Sequence, residues 1–164
     1  MRSPPPASVE FVVGEYDVLV GPMAAMAATG IGWVNARPIV DEEHQPEAPG
    51  PFAIFGGSIH KIPTATWVPG KHGADGTVKP TSVGLQHSSG PRVVARLREL
   101  GLPMPDGWRI TQDHPRRGLV ALVPVEASDA DTVDWLVRAA TVVSAVPVTG
   151  RWSGSIHAGS GGGQ

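Results

Sequence analysis

Cysteine is absent from this 164-residue chain. Its absence excludes disulfides, thiolate metal sites and cysteine nucleophiles, and it decides nothing about secretion. Charge is also scarce. Only 17% of residues are charged, and 13 basic side chains against 15 acidic ones leave a formal net charge of -2. That balance gives no general attraction to nucleic acid or to anionic lipid, so neither nucleic acid nor a membrane is an expected partner. Long apolar runs are missing too. The one membrane candidate, residues 18–34, is diluted by Gly, Thr and Pro and falls short of the roughly 20 largely apolar residues of a span. It reads as a buried loop, helix and strand. Behind Arg2 and the run Pro4-Pro5-Pro6 no apolar region follows at once, so no signal peptide is expected. A cytoplasmic location is the expectation.

Glycine and proline are abundant, 21 and 17, which predicts many turns and long connections. Apolar residues make up 41%, enough for a core in a chain of this length. The clearest element is a helix over residues 128–146. Ser128 caps it, Asp129 and Asp131 sit at its positive end, and Val133, Leu136, Val137, Ala140 and Val143 form an apolar face. Trp135, Ala139, Val142 and Val146 widen that arc beyond what one sheet face needs, so a second cover is expected, from the first half of the chain or from another subunit. A second helix is predicted over 91–100, with Val93, Leu97 and Leu100 on one face and Gly101 as its stop. Leu102 is placed to close over Leu97.

Strands are predicted over 77–85, 108–112, 119–125 and 148–156. The order β, α, β, β, α, β over 77–156 is that of ferredoxin-like split βαβ domains. The fold expected is therefore α+β, an antiparallel sheet with two helices, beside a loop-rich, β-containing N-terminal half that covers the other sheet face. In that half, 9–13 and 16–20 read as extended, 23–28 as a short helix behind Pro22, and 31–34, 52–55, 58–61 and 64–68 as further strands. Residues 37–51 read as an exposed acidic loop and 69–76 as a surface loop. One domain over 9–157 is expected, between a disordered tail at 1–8 and a flexible one at 158–164.

Motifs that would name a chemistry are lacking. The six histidines form no HExxH pair; His60, His72 and Asp75 are the one set that loops could bring together, and no metal or other cofactor is expected. Asp113-His114 offers a base beside a carboxylate and Ser153 or Ser155 a hydroxyl, but no GxSxG elbow is present. Where the 91–100 helix begins, Ser88, Ser89 and Arg92 make a candidate anion site, without the spacing of a phosphate loop. Nucleic-acid recognition on a sheet wants basic residues interleaved with exposed aromatics, and the strand candidates present Trp108 and Trp152 without such a pattern. Five tryptophans against one tyrosine and three phenylalanines read mostly as core, with Trp135, Ala139 and Val142 as the candidate interface. The function expected is a non-catalytic binding or assembly protein, with a second copy of the chain or another protein as partner and self-association through the last helix. The alternatives are a small enzyme using His and Asp or Glu for acid-base chemistry, and a binder of small anions or nucleotides at residues 88–92.

Overall fold

The computed structural model describes residues 5–45 and 61–159. The strand candidate at 52–55 and nearly all of that at 58–61 lie outside the described residues. In chain order the elements are β1 (Ala7–Val12), α1 (Asp17–Thr29), β2 (Trp33–Pro38), a 3-10 turn (Glu42–His44), β3 (Thr64–Val68), β4 (Lys71–His72), β5 (Val78–Lys79), β6 (Thr81–Gln86), α2 (Val93–Glu99), β7 (Arg109–His114), β8 (Gly118–Val123), α3 (Asp129–Val143) and β9 (Arg151–His157). Seven strands form one sheet in the order β1-β9-β2-β3-β6-β8-β7, each pair antiparallel. The class is α+β, as expected. Among the described residues no helix is long and apolar enough to cross a membrane.

Local chemistry accounts for the best-predicted elements. The Ser128 hydroxyl accepts from the Asp131 N–H at 3.1 Å, filling one of the orphan donors at the start of α3. At the end of α2, Gly101 takes φ 85°, the Leu102 N–H bonds back to the Leu97 carbonyl at 2.8 Å and the Gly101 N–H to that of Arg98 at 3.1 Å. That is the two-bond closure in which glycine is favoured because it bears no Cβ. α2 begins only at Val93, because Arg92 is left-handed, with φ 60°.

Three expectations are corrected. Residues 16–20 are not extended: Tyr16 precedes α1, and Asp17 opens it. Pro22 lies inside this helix rather than at its start, where it removes one backbone bond. Leu19, Met23 and Met26 recur at four and three residues and are all buried, so one stripe facing the sheet holds the helix across the proline. The 69–76 loop contains β4, which pairs with β5 in a separate two-stranded ribbon. Finally, the order β6-α2-β7-β8-α3-β9 runs along the chain, but the ferredoxin-like sheet does not form. In that arrangement the strands equivalent to β6 and β9 are neighbours; here β2 and β3 stand between them. Among the described residues the first half supplies strands to the sheet and covers it only on the helix side, through α1. Val34 and Ala36 of β2 and Ala65 and Trp67 of β3 are buried, and they extend the surface on which α1 and α3 rest.

One core holds Leu19 and Met23 of α1, Val93 and Leu97 of α2, and Leu136 and Val137 of α3 together with Phe11, Trp67, Leu85, Ala121 and Trp152 of the sheet. All three helices thus lie on the same side. The broad arc of α3 is covered within the chain: the Trp135 ring meets Trp108 edge to face at 5.1 Å, and its N–H donates to the Pro103 carbonyl at 3.0 Å.

Candidate functional site

Side chains alternate along a strand, so every strand that points one set at the helices points the other away from them. The second set forms a row across the whole sheet. Ser8 stands opposite Ser155, Ser155 opposite Asn35, Asn35 opposite Thr66, Thr66 opposite Gly84, Gly84 opposite Val120 and Val120 opposite Gln112. All are small or carry a hydrogen-bonding group except Val120. The Thr66 hydroxyl donates to Asn35 Oδ1 at 2.8 Å, which leaves the Asn35 amide donors unused in that pair.

Longer side chains flank the row. On one flank, Trp33 is opposite His157, Val68 opposite Ser82, and Leu122 opposite Arg109. On the other, Arg37 is opposite Ser153 and Thr64 opposite Gln86. Above Gly84 they leave a hollow of about 430 Å³ bordered by Asn35, Thr66, Ser82, Gln86, Arg117 and Val120. Trp33 and His157 stack nearly parallel, with ring centres 4.5 Å apart and planes at 10°, and Trp33 is still 43% exposed.

A second concavity, of about 370 Å³, lies where α3 begins, between that helix and the β4–β5 ribbon. Trp67, His72, Lys79, Asp129 and Thr132 help to line it. Burial pushes the Asp129 carboxyl up. Trp67 is 2% exposed, and its indole N–H has no hydrogen-bond partner. Acid-base work would fall to His72 and Asp129. His72 is on an exposed strand, and among the described residues no hydrogen bond orients its ring. A general base requires such an orienting group.

The residues singled out by sequence are dispersed. At the candidate anion site, the Ser89 hydroxyl donates to the Val143 carbonyl at 3.3 Å and its N–H to His87 Nδ1 at 3.1 Å. Ser88 and Arg92 are exposed. The helix N–H groups of Val93 and Val94 are given to the Asp113 carboxylate at 3.1 and 3.2 Å. A carboxylate of this chain therefore sits where an external anion was expected. At the candidate interface, Trp135 and Ala139 are buried and Val142 is half-buried. Asp113 and His114 do not act as a pair: adjacent on β7, they oppose Leu119 and Gly118 and point to opposite faces. His114 Nδ1 instead accepts the N–H groups of Arg116 and Arg117, both at 3.1 Å. Ser153 and Ser155 lie on the open face, and among the described residues neither hydroxyl is hydrogen-bonded to a histidine.

Of the six histidines, His60 is outside the described residues, and Asp75 is bound to Thr77 through its hydroxyl at 2.6 Å and its N–H at 3.0 Å. Those bonds hold the Asp75 carboxyl below the usual range. The one group of ligand-type side chains that converges among the described residues, Asp41, Glu43 and His44, is a largely exposed acidic cluster. The signal that sequence reading missed is the alternation Trp33-x-Asn35-x-Arg37 and Ser153-x-Ser155-x-His157, each interleaved with buried residues. Compared with protein-family models, with curated proteins and with solved structures, the chain finds no match.

Proposed function

We propose that this chain is a non-catalytic binding or assembly protein whose working surface is the sheet face turned away from the helices. One observation carries the reading: seven strands share a single layer of helices, and the opposite face presents a low row, polar at Ser8, Ser155, Asn35, Thr66 and Gln112, between taller side chains. An antiparallel sheet tolerates one solvated face. Hydroxyl and amide groups on five of the seven strands go further: the Ser8 and Ser155 hydroxyls and the Asn35 amide donors are left to offer a partner hydrogen bonds at fixed spacing. The small-enzyme reading has the hollow at α3 in its favour and lacks an oriented base there. Self-association takes the same surface in this proposal, because Trp135 and Ala139 are already covered by their own chain.

Thermal-shift titration of the full chain with nucleotides, polyanions, polycations and saccharides tests this, since a ligand selective for the folded state raises its melting temperature. Thr66→Glu places bulk and charge in the middle of the row, and Asp129→Asn alters the hollow. Shifts lost in Thr66→Glu and kept in Asp129→Asn support the proposal. Shifts lost only in Asp129→Asn would transfer the function to the hollow. For the assembly form, a defined oligomer in solution that Thr66→Glu dissociates is the expected result.

A further inference from the structure

The charge of the chain is unevenly distributed. Strand register places Arg37, Arg109 and Arg151 on the open face, and Arg117 borders its hollow. Glu10 is the one acidic residue that the strands bring to that face, and it is spent on Arg151 at 2.8 Å. Among the described residues Arg37, Arg109 and Arg117 have no ion pair. Asp113, the other acid in a sheet strand, points to the helix side and caps α2. Other acids lie on and around α3, at Glu126, Asp129, Asp131 and Asp134, and in the turn after β2, at Asp41, Glu42 and Glu43. A chain with net charge -2 therefore carries one sheet face whose strand residues are net positive, a footprint suited to an anionic partner.

The spacing of these charges excludes a single small anion. Arg37 on β2 and Arg109 on β7 stand on opposite flanks of the row and are separated by four strand steps, so at about 4.8 Å per step they are more than roughly 19 Å apart. An occupant that reaches both must repeat its charge along a chain. Between them the floor is Asn35, Thr66, Gly84 and Val120, low enough for planar groups to approach the backbone. Trp33, stacked on His157 at 4.5 Å and 43% exposed, stands at the rim of this floor. A repeating anion with flat apolar rings between its charges matches the arginines, the indole and the amides together. An acidic polypeptide would match only the arginines.

We infer that the open sheet face binds single-stranded nucleic acid, with Arg37, Arg109 and Arg117 on phosphates, Trp33 as a stacking platform for a base, and Asn35 and Gln86 at base edges. This rests on the reading of that face as the working surface. Single strands are specified because a base must leave its own stack to lie on an indole and to show its edge to a flat sheet. The balance of the whole sequence gave no sign of it, because net charge does not report which side of a sheet a residue occupies.

The test is fluorescence anisotropy of labelled 12-nucleotide RNA and DNA strands titrated with the full chain at 50 and 200 mM salt. Saturable binding is expected, weakening roughly tenfold to twentyfold between the two salts if about three phosphates are neutralised. Arg37→Ala with Arg109→Ala should flatten that salt dependence. Trp33→Ala should weaken binding about 5-fold to 160-fold, the range for losing one stacked base, and Trp33→Phe should restore most of it. Arg96→Ala and Arg138→Ala, on the helix side, should change neither. No saturable binding at 50 mM salt, or poly-glutamate bound as tightly as the oligonucleotides, would overturn the inference. If oligonucleotides fail while another ligand loses its stabilisation in Thr66→Glu, only the nucleic-acid assignment falls. If they bind and ignore Thr66→Glu and the arginine variants, the working surface falls with it.

Discussion

The two faces of the seven-stranded sheet are built from the same strands and obey different rules. On β9, Trp152, Gly154 and Ile156 are buried against the helices, and Arg151, Ser153, Ser155 and His157 lie on the other side. On β3, Ala65 and Trp67 are buried between Thr64, Thr66 and Val68. The helix side varies residue size to fill space: Trp152 fits beside Phe11 with ring centres 6.3 Å apart, and Gly154 makes room for Leu19. The open side, Val120 apart, places small or hydrogen-bonding residues along its central row.

The sharpest test of this contrast pairs neighbours on β9. Trp152→Ala should destabilise the fold by about 3–5 kcal/mol through lost burial and a cavity. Ser153→Ala, one residue along and on the other face, should cost about 0.5 kcal/mol or less. Equilibrium urea denaturation of both variants measures it, and equal losses would mean that the open face is packed as tightly as the other.

Two glycines sharpen it next. A Cβ on Gly154 would lie 2.8 Å from Leu19 Cδ2 and 3.1 Å from Val9 Cγ2, so Gly154→Ala should cost about 1–3 kcal/mol by overpacking. A Cβ on Gly84 meets nothing nearer than the Leu119 carbonyl oxygen at 3.7 Å, so Gly84→Ala should be neutral within about 0.5 kcal/mol, or slightly stabilising, since glycine weakens a strand. The same denaturation curves compare them, and the hollow above Gly84 should shrink in a crystal structure of that variant.

On the helix side, the Tyr16 hydroxyl donates to Asp134 Oδ1 at 2.7 Å, tying the start of α1 to α3. Burial first, and this bond second, push the Tyr16 pKa up to about 12. Tyr16→Phe should cost about 1–2 kcal/mol. The raised value also sets a pH window. The contribution of Tyr16 is complete below its unfolded pKa of about 10 and is lost as pH rises through the folded value of about 12. Melting temperatures followed from pH 9 to 12 should therefore fall more steeply in the native chain than in Tyr16→Phe. Smallest of all is the surface pair of Arg138 Nε with Asp134 Oδ2 at 2.8 Å. Arg138→Ala should change stability by less than about 0.5 kcal/mol, and a larger loss would mean that Asp134 needs both partners to hold Tyr16.

How much of this could be read in advance varies with the range of the interactions. α3 and α2 were legible because their caps and stripes lie within a few residues: the serine hydroxyl of Ser128 starts α3 and Gly101 stops α2, while α3 ends at Val143, short of the expected 146. α1 was misread because Pro22 and the valines of residues 18–20 are local signals against a helix, and the stripe Leu19, Met23 and Met26 counts only when a sheet lies beneath it. Trp135 read as a spare apolar side chain because its cover, Pro103 and Trp108, lies about thirty residues upstream. Ser89 read as an anion donor because Asp113, which takes the neighbouring N–H groups, is twenty residues downstream of Val93. The open face was not legible at all. Each strand shows its polar alternation separately, but which polar residues share a row depends on strand order, and that order is not sequential.

By itself the sequence determined the mixed α+β content, the two C-terminal helices with the Ser128 cap and the Gly101 stop, the strands β7 and β8, and the exclusion of cysteine chemistry, because each depends on composition or on contacts a few residues long. Only the tertiary structure decided that β2 and β3 enter the sheet between β6 and β9, that all three helices share one side, and that Arg37, Trp33, Asn35, Thr66 and Arg109 meet on the other. Those positions are set by pairing between strands far apart in the chain. Burial of apolar surface selects the pairing that extends one continuous core, and the composition of the opposite face is what that selection leaves exposed.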